Sequence, residues 1–405
     1  MTQTETWARA ETVARAAYGK LVAMLASQTG DVIAAEDALA DAFVAALSTW
    51  PKRGIPERPE AWLLTVAKNR RVDRARRDKR LVITDEVPEM QTPDVIDTET
   101  EITDERLKLM FVCAHPAIDA NVHTPLMLQT VLGLEAEDIA RAYLLSPSAM
   151  AQRLVRAKRK IKAAGIPFVV PERDAIAPRL SAVREAIYGA YALDWLDGAG
   201  DLSHEALFLS TILVDLWPDD PEALGLAALI SFIEARRAAR VVDGVLIPTP
   251  EQDTALWDED LIHRANAFLT QAASEGQLGR FQLEAAIQAV HAARSVTGST
   301  NWRGLSQLYM GLTQIYPTIG AAVSQAAVVA EDAGPAQGLA MLERVQFPDA
   351  ARYQPLHAVR AACLARLGQT AQAAQAYEKA ISLCTSAPSR RWLQKKNDEL
   401  RKKMS

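Results

Sequence analysis

Between Arg153 and Lys162 the chain places six basic side chains, Arg153, Arg156, Lys158, Arg159, Lys160 and Lys162, with no acidic residue among them. Cations at that density neutralise phosphates, and their arrangement on a helix decides whether they can also reach base edges. Met150, Leu154, Ala157 and Ile161 stand at i, i+4, i+7 and i+11 and so share one apolar helix face, which leaves Ser148, Gln152, Arg156 and Arg159 on the other. One face packs and the other can enter a groove. A second basic stretch, Lys68 to Arg80, carries eight cations against Asp73 and Asp78, with Arg70, Arg74 and Arg77 aligned at helical spacing. Trp62 and Asn69 lie on one line of that same helix, offering a ring for stacking on an unstacked base and an amide for hydrogen bonding to it. A third face is acidic: Asp37, Asp41, Val44 and Ser48 share the outer side of an earlier helix and could dock a basic partner helix. Each pattern also has a plainer meaning, since charged faces are often only solvated and Trp62 could serve a core.

The elements that must hold these residues follow from periodicity and breakers. Glu135 to Leu144 reads as a helix with Ile139, Ala140, Tyr143 and Leu144 at helical spacing, and Leu145-Ser146-Pro147 interrupts it with a proline suited to the first turn of the next. Thr130 to Lys162 is thereby a helix-turn-helix with a basic second helix. Nearer the N-terminus, Gly30-Asp31 marks a turn, and Val32, Ala35, Leu39, Phe43, Ala46 and Trp50 form an inward stripe. Pro51 to Pro59 reads as a loop, and Pro59 begins a helix whose first half, Ala61 to Ala67, is apolar and whose second half is the basic stretch from Lys68. Leu81 to Glu105 lacks periodicity, and its nine acidic residues from Thr84 onward face no basic one, the composition of a flexible linker. Helical texture resumes at Asp104 and stops near Pro116. Gly165-Ile166-Pro167 closes the basic helix, Phe168 to Pro171 looks extended, and a boundary falls near Val170. From Leu180 the chain reads as repeated helix pairs; in Tyr353 to Pro388, Gly368, Ala373, Tyr377 and Ala380 take tetratricopeptide spacing, with weaker pairs at Asp220 to Arg240 and Ile319 to Val345.

The expected fold class is therefore all-α. Residues 1–80 and 106–166 form two small helical modules, the second a helix-turn-helix; 81–105 join them as an acidic flexible linker, 167–179 are a connector, and 180–405 are a tetratricopeptide-like helical-repeat domain. The formal net charge of -5 hides the segregation of acidic and basic stretches, so local charge informs and the total does not. Three cysteines with no CxxC pair suit a reducing cytoplasm, and Cys113 with His115 lacks the second pair a metal would need, so both are read as packing residues and no metal is expected. No glycine-rich phosphate loop, GxSxG or HExxH is present, so neither an enzyme nor a cofactor is expected. The longest mostly apolar run, Ala223 to Ile233, is far short of the ~20 residues that span a bilayer, and the N-terminus lacks the pattern of a signal peptide, so no membrane association and a cytoplasmic location are expected.

The segments PEAWLLTVAKNRRVDRARR and, after the acidic stretch, LEAEDIARAYLLSPSAMAQRLVRAKRKI resemble the two characteristic regions of the extracytoplasmic-function (group IV) sigma factors of the sigma-70 family. The likeness covers about Leu21 to Lys162, and AAGIPFVVP with the repeats beyond resembles a branch that carries its own helical-repeat extension. The resemblance implies a non-enzymatic transcription-initiation factor whose partners are core RNA polymerase and promoter DNA, with a protein, peptide or small molecule as partner of the repeats. It implies that Asp37, Asp41, Val44 and Ser48 dock on the polymerase, and that Trp62, Lys68, Asn69, Arg70, Arg74 and Arg77 melt and read the minus-ten element. Ser148, Gln152, Arg153, Arg156, Arg159 and Lys160 would read the minus-thirty-five element. Two other readings of the residues stay open: a one-component helix-turn-helix regulator with a helical-repeat sensor, and a repeat scaffold whose basic helices are incidental.

Overall fold

A computed structural model describes residues 17–79, 98–143, 145–197 and 201–402. Those residues are helical nearly throughout, and they divide into two compact units: one runs to Trp195 and resumes as far as Leu209, the other takes Leu196 and Asp197 and continues from Ser210.

In the first unit, helix α1 (17–27) ends at a turn in which Gly30 takes φ +67°, a left-handed conformation that favours glycine. Asp31 then caps helix α2 (Val32–Arg53), its carboxylate accepting from the Ala34 amide at 3.1 Å. The inward stripe is buried as its spacing predicts, with Ala38 and Ala42 added to it and Phe43 only half-buried. The helix does not stop at Pro51. It runs one turn further to Arg53, where Gly54 (φ +85°) donates its amide to the Trp50 carbonyl and turns the chain out. A proline so near the end removes only one of the helix's last hydrogen bonds, which is why the expected loop is shorter than its composition suggests. Helix α3 (Pro59–Lys79) packs along α2, burying Leu63 and Ala67 and setting Trp62 edge-on to Trp50, with ring centroids 5.6 Å apart.

Helix α4 (Thr98–Cys113) begins inside the acidic stretch expected to be a linker. Carboxylates in the first turns of a helix are favoured by its dipole, so acidic composition alone does not exclude one. Helices α5 (Ala120–Thr130), α6 (Ala136–Ala142) and α7 (Pro147–Ala163) follow, α5 packing on both of the others. Helix α8 (Arg173–Asp197) starts before the expected Leu180 and carries Pro178 within it. Arg179 of α8 donates to the Phe111 carbonyl of α4 at 3.4 Å. Helix α9 (Asp201–Leu216) is tied to the same unit at its start, where Glu205 pairs with Arg106 of α4 and Asp194 accepts from the Ser203 amide at 3.2 Å. Arg106 is only 1 % exposed, and burial lowers its guanidinium to about 10.

In the second unit, helix α10 (Pro221–Glu234) is buried on nearly all sides between α12 (Glu259–Ser274) and α13 (Arg280–Ala292). Gly225 allows the close crossing: a Cβ there would lie 2.6 Å from the Gln282 amide nitrogen. The expected helix pair at Asp220 to Arg240 is in fact this single helix followed by one short turn, α11 (Arg237–Arg240), because the whole apolar run is needed to face two neighbours at once. A small hairpin, β1 (Val241–Val242) with β2 (Val245–Leu246), turns on Asp243 (φ 51°) and Gly244 (φ 73°). Beyond α14 (Arg294–Thr297), neighbouring helices pack in sequence: α15 (Trp302–Ile315), α16 (Ile319–Asp332), α17 (Pro335–Glu343), α18 (Gln354–Arg366), α19 (Thr370–Leu383) and α20 (Ala387–Lys402). Ala373, Tyr377 and Ala380 are buried between α18 and its neighbours, with Gly368 (φ 77°) in the turn before them. Among the described residues no helix is long and apolar enough to cross a membrane.

Candidate nucleic-acid interface

The outer face of α2 is built by the same periodicity that fills its inner one. Asp37, Asp41, Val44 and Ser48 are all exposed, Val44 by 67 %, so two carboxylates precede an apolar side chain on the side of α2 opposite its buried stripe. An apolar side chain held out beside like charges suits contact with a basic, partly apolar partner.

On α3 the root expected to be buried over Ala61 to Ala67 buries only Leu63 and Ala67; Trp62, Leu64, Thr65 and Val66 are half-buried and Ala61 is exposed, because the helix packs with one side on α2. Lys68 is half-buried, while Asn69 and Arg70 are exposed. Trp62 is half-buried: one edge is spent on Trp50, which serves both the packing and the stacking reading. The backbone of α3 continues past Arg74 and Arg77, whose side chains lie outside the described residues.

The helix-turn-helix is α6 and α7. Ser146 caps α7 by accepting from the Ala149 amide at 3.3 Å, and Pro147 takes the first turn, where its missing N–H costs nothing. Met150, Leu154, Ala157 and Ile161 are buried, and Ser148, Gln152, Arg153, Arg156, Arg159 and Lys160 are exposed. Arg156 Nε donates to the Gln152 carbonyl at 3.3 Å, which holds its guanidinium along the exposed face. Val155 shares this face at 41 % exposure, a position that a search for charge passes over.

Two of the six basic residues are paired with carboxylates of the same unit. Lys158 turns inward beneath α7, with 7 % of its side chain exposed, and donates to both Glu36 oxygens of α2 at 2.6 and 2.7 Å. Lys162, itself well exposed, reaches Asp31 at 2.6 Å. Burial alone would raise the Asp31 carboxyl, but the hydrogen bonds from Lys162 and Ala34 and the Lys162 charge outweigh it and hold the group below its ordinary value. Tyr18 of α1 also hydrogen-bonds Glu36, and burial first, then the Glu36 and Glu135 charges, push its hydroxyl well up. Sequence reasoning missed Glu36 because its partner is 122 residues away, and no local pattern signals such a pair.

Cys113 is buried, its sulfur 3.5 Å from the Thr130 hydroxyl, and burial pushes the thiol up to about 12. His115 Nδ1 accepts from the Ala117 amide at 3.1 Å. Among the described residues no group of three His, Cys, Asp or Glu could hold a metal ion.

Comparison with known proteins adds two family matches. Sigma-70 region 2 matches residues 13–81, the stretch that contains α1, α2 and α3, and a family of unknown function (DUF6596) matches residues 179–273, from α8 into α12. Uncharacterized protein R00370 of Rhizobium meliloti (strain 1021) is 35 % identical over 382 residues, which cover 90 % of each chain. No solved structure matches.

Proposed function

We propose that this chain, which belongs to the same family as the Rhizobium meliloti protein and carries sigma-70 region 2 at its N-terminal end, is an RNA polymerase sigma factor of the extracytoplasmic-function type with a fused regulatory domain. The observation that carries the reading is the coincidence of the region 2 match with the exposed face of Asp37, Asp41, Val44 and Ser48 on α2. A repressor that binds DNA alone has no need of such a face beside a basic helix. In this reading α2 docks on a basic, partly apolar surface of the core polymerase. Helix α3 then offers Trp62 and Asn69 to bases of an opened minus-ten element, while its basic tip holds the backbone. Helix α7 enters the major groove at the minus-thirty-five element, where Gln152 and Arg156 read base edges and Arg153, Arg159 and Lys160 hold phosphates. Val155 offers an apolar contact suited to a thymine methyl group. The tetratricopeptide-like repeats of the second unit regulate these modules by binding a protein, peptide or small molecule.

The test is a pull-down with core polymerase. Asp37→Lys with Asp41→Lys should abolish capture while leaving the melting transition nearly unmoved, since exposed substitutions usually change stability by less than about 0.5 kcal/mol. Undiminished capture by the double variant would remove this face from the mechanism.

A further inference from the structure

In the second unit, polar groups from α10, α13, α14 and the connection 247–258 meet at the indole of Trp257. Arg236 follows α10, Gln252 and Trp257 lie on the connection, His291 lies on α13, and Arg294 begins α14. The guanidinium carbons of Arg236 and Arg294 stand 5.9 and 4.9 Å from the centroid of that one ring, so two like charges share a single aromatic neighbour. Carbonyl groups hold both in place: Arg236 donates to Gln288 Oε1, and Arg294 donates to the Thr249 and Gln252 carbonyls at 3.0 and 2.7 Å. Such acceptors orient a guanidinium without neutralising it. The carboxylates of the connection are engaged elsewhere. Glu251 lies 3.7 Å from Lys396, Asp253 accepts from the Ala255 amide at 3.0 Å, and Asp258 accepts from the Leu261 amide at 2.9 Å. No carboxylate pairs with Arg294 among the described residues.

Beside these cations, Trp257 Nε1, Gln252 Oε1 and His291 Nδ1 are buried and have no hydrogen-bond partner among the described residues. Trp257 is 5 % exposed and Gln252 6 %, so their polar atoms are well removed from solvent. Folds rarely leave a buried polar atom alone, and a polar network that served packing only would pair these groups with one another. We propose that Arg236, Trp257, His291 and Arg294 form a binding site for a small oxyanion. The two arginines and the Trp257 N–H supply charge and donors for its oxygens, and Gln252 Oε1 accepts from a hydroxyl that the anion carries. Arg294 is half-buried, so solvent reaches the cluster on its side, while the burial of Trp257 limits the ligand to a few atoms. The site gives a ligand class to the regulatory unit of the function proposed above, on which its biological sense rests.

The experiment follows the indole N–H resonances of the eight tryptophans in the full chain, with the Trp257 signal identified by its loss in Trp257→Phe. Inorganic phosphate and glycolate are titrated separately, each against sodium chloride at matched ionic strength. The Trp257 signal should shift saturably with at least one of the two and not with chloride; phosphate alone would assign the site to phosphoryl groups, glycolate alone to hydroxycarboxylates. Arg294→Gln should weaken that binding about tenfold, as expected for the loss of a charged hydrogen-bond donor. Should Arg294→Gln fail to fold, Arg294→Lys, which keeps the charge and loses the planar fork, should weaken binding by a smaller factor. A Trp257 signal that stays in place with both anions would overturn the site. So would a shift that chloride reproduces, or one that a folded Arg294 variant leaves unchanged. The titrations need no polymerase, so their failure would leave the sigma-factor reading standing, and failure to bind polymerase would leave the anion site standing.

Discussion

Two helices of this protein are rich in cations, and they use them in opposite ways. Helix α20 turns its charges onto its own unit: Arg391 donates to the Gly244 carbonyl at 2.9 Å, Arg390 to the Cys384 carbonyl, Arg401 pairs with Glu378, and Lys396 lies 3.7 Å from Glu251. Helix α7 commits Lys158 and Lys162 to α2 and presents Arg153, Arg156, Arg159 and Lys160 to solvent, with no ion pair to any of these four among the described residues. A count of basic residues would rank the two alike. What separates them is whether groups of other elements of the same fold take up the cations: on α7's outer face the one bond is Arg156 to the Gln152 carbonyl of the same helix, and no carboxylate pairs with these four among the described residues. The second unit extends the pattern inward, where Arg236 and Arg294 lie near the Trp257 ring, 5.9 and 4.9 Å from its centroid, and Arg294 donates to the Thr249 and Gln252 carbonyls.

The contrast can be broken most severely by removing what supports the unit that holds α7. A chain ending at Pro171 loses α8 and the start of α9, and leaves buried Arg106 without Glu205, a loss of about 3 kcal/mol or more for an enclosed charge. Its first unit should lose cooperative melting, followed by circular dichroism, whereas a chain ending at Trp217 should keep it. Equal melting of the two would show that α8 and α9 only decorate the unit.

The inward-facing charges of the second unit predict acid sensitivity. Burial, with Arg236 and Arg294 nearby, lowers His291 to about 4. The unfolded chain therefore takes up a proton near pH 6.5 that the folded unit refuses, so stability is complete above about 6.5 and declines as pH falls towards 4, by up to about 3 kcal/mol. Denaturant titrations at pH 7 and pH 4.5 should show that loss, and His291→Asn should flatten the difference. A wild-type curve independent of pH across this window would contradict the assignment.

Much of the exposed side of the comparison is legible in the sequence, because it is local. Ser146-Pro147 sets the start of α7, Asp31 sets that of α2, and i, i+4, i+7 spacing assigns the buried faces of both. The partners that turn a cation inward are not local: Lys158 finds Glu36 across 122 positions and Arg391 finds Gly244 across 147. Where local signals misled, they were outweighed by neighbours or position. Pro51 is tolerated because it sits in the last turn of α2, and the Ala223 to Ile233 run is one helix because α12 and α13 cover both its sides. The hairpin had a signal, Asp243-Gly244 between Val241-Val242 and Val245-Leu246, too short to stand out from helical surroundings.

On the outer face of α7 the expected effects fall on DNA rather than on folding. Gln152→Ala or Arg156→Ala should cost about 1–3 kcal/mol of discrimination at one upstream position, while Lys160→Ala should weaken all sequences alike and lower the salt slope by about one ion. Binding titrations on matched and mutated upstream elements separate the two; equal losses on both for Gln152→Ala would sink its reading role. The smallest effect belongs to α20. Arg391→Ala should lower stability by about 1 kcal/mol or less and leave DNA affinity unchanged, because its charge already has a partner in the fold. A loss of DNA affinity there would erase the distinction between the two helices.

The central claim is tested most directly by transcription from a library of bacterial genomic fragments with purified core polymerase, with and without the full chain. The account predicts that the chain joins the polymerase and that transcripts start from a small set of fragments sharing two spaced elements, only when it is present. Sequence-specific DNA binding by the chain with no association with polymerase and no new transcripts would contradict it.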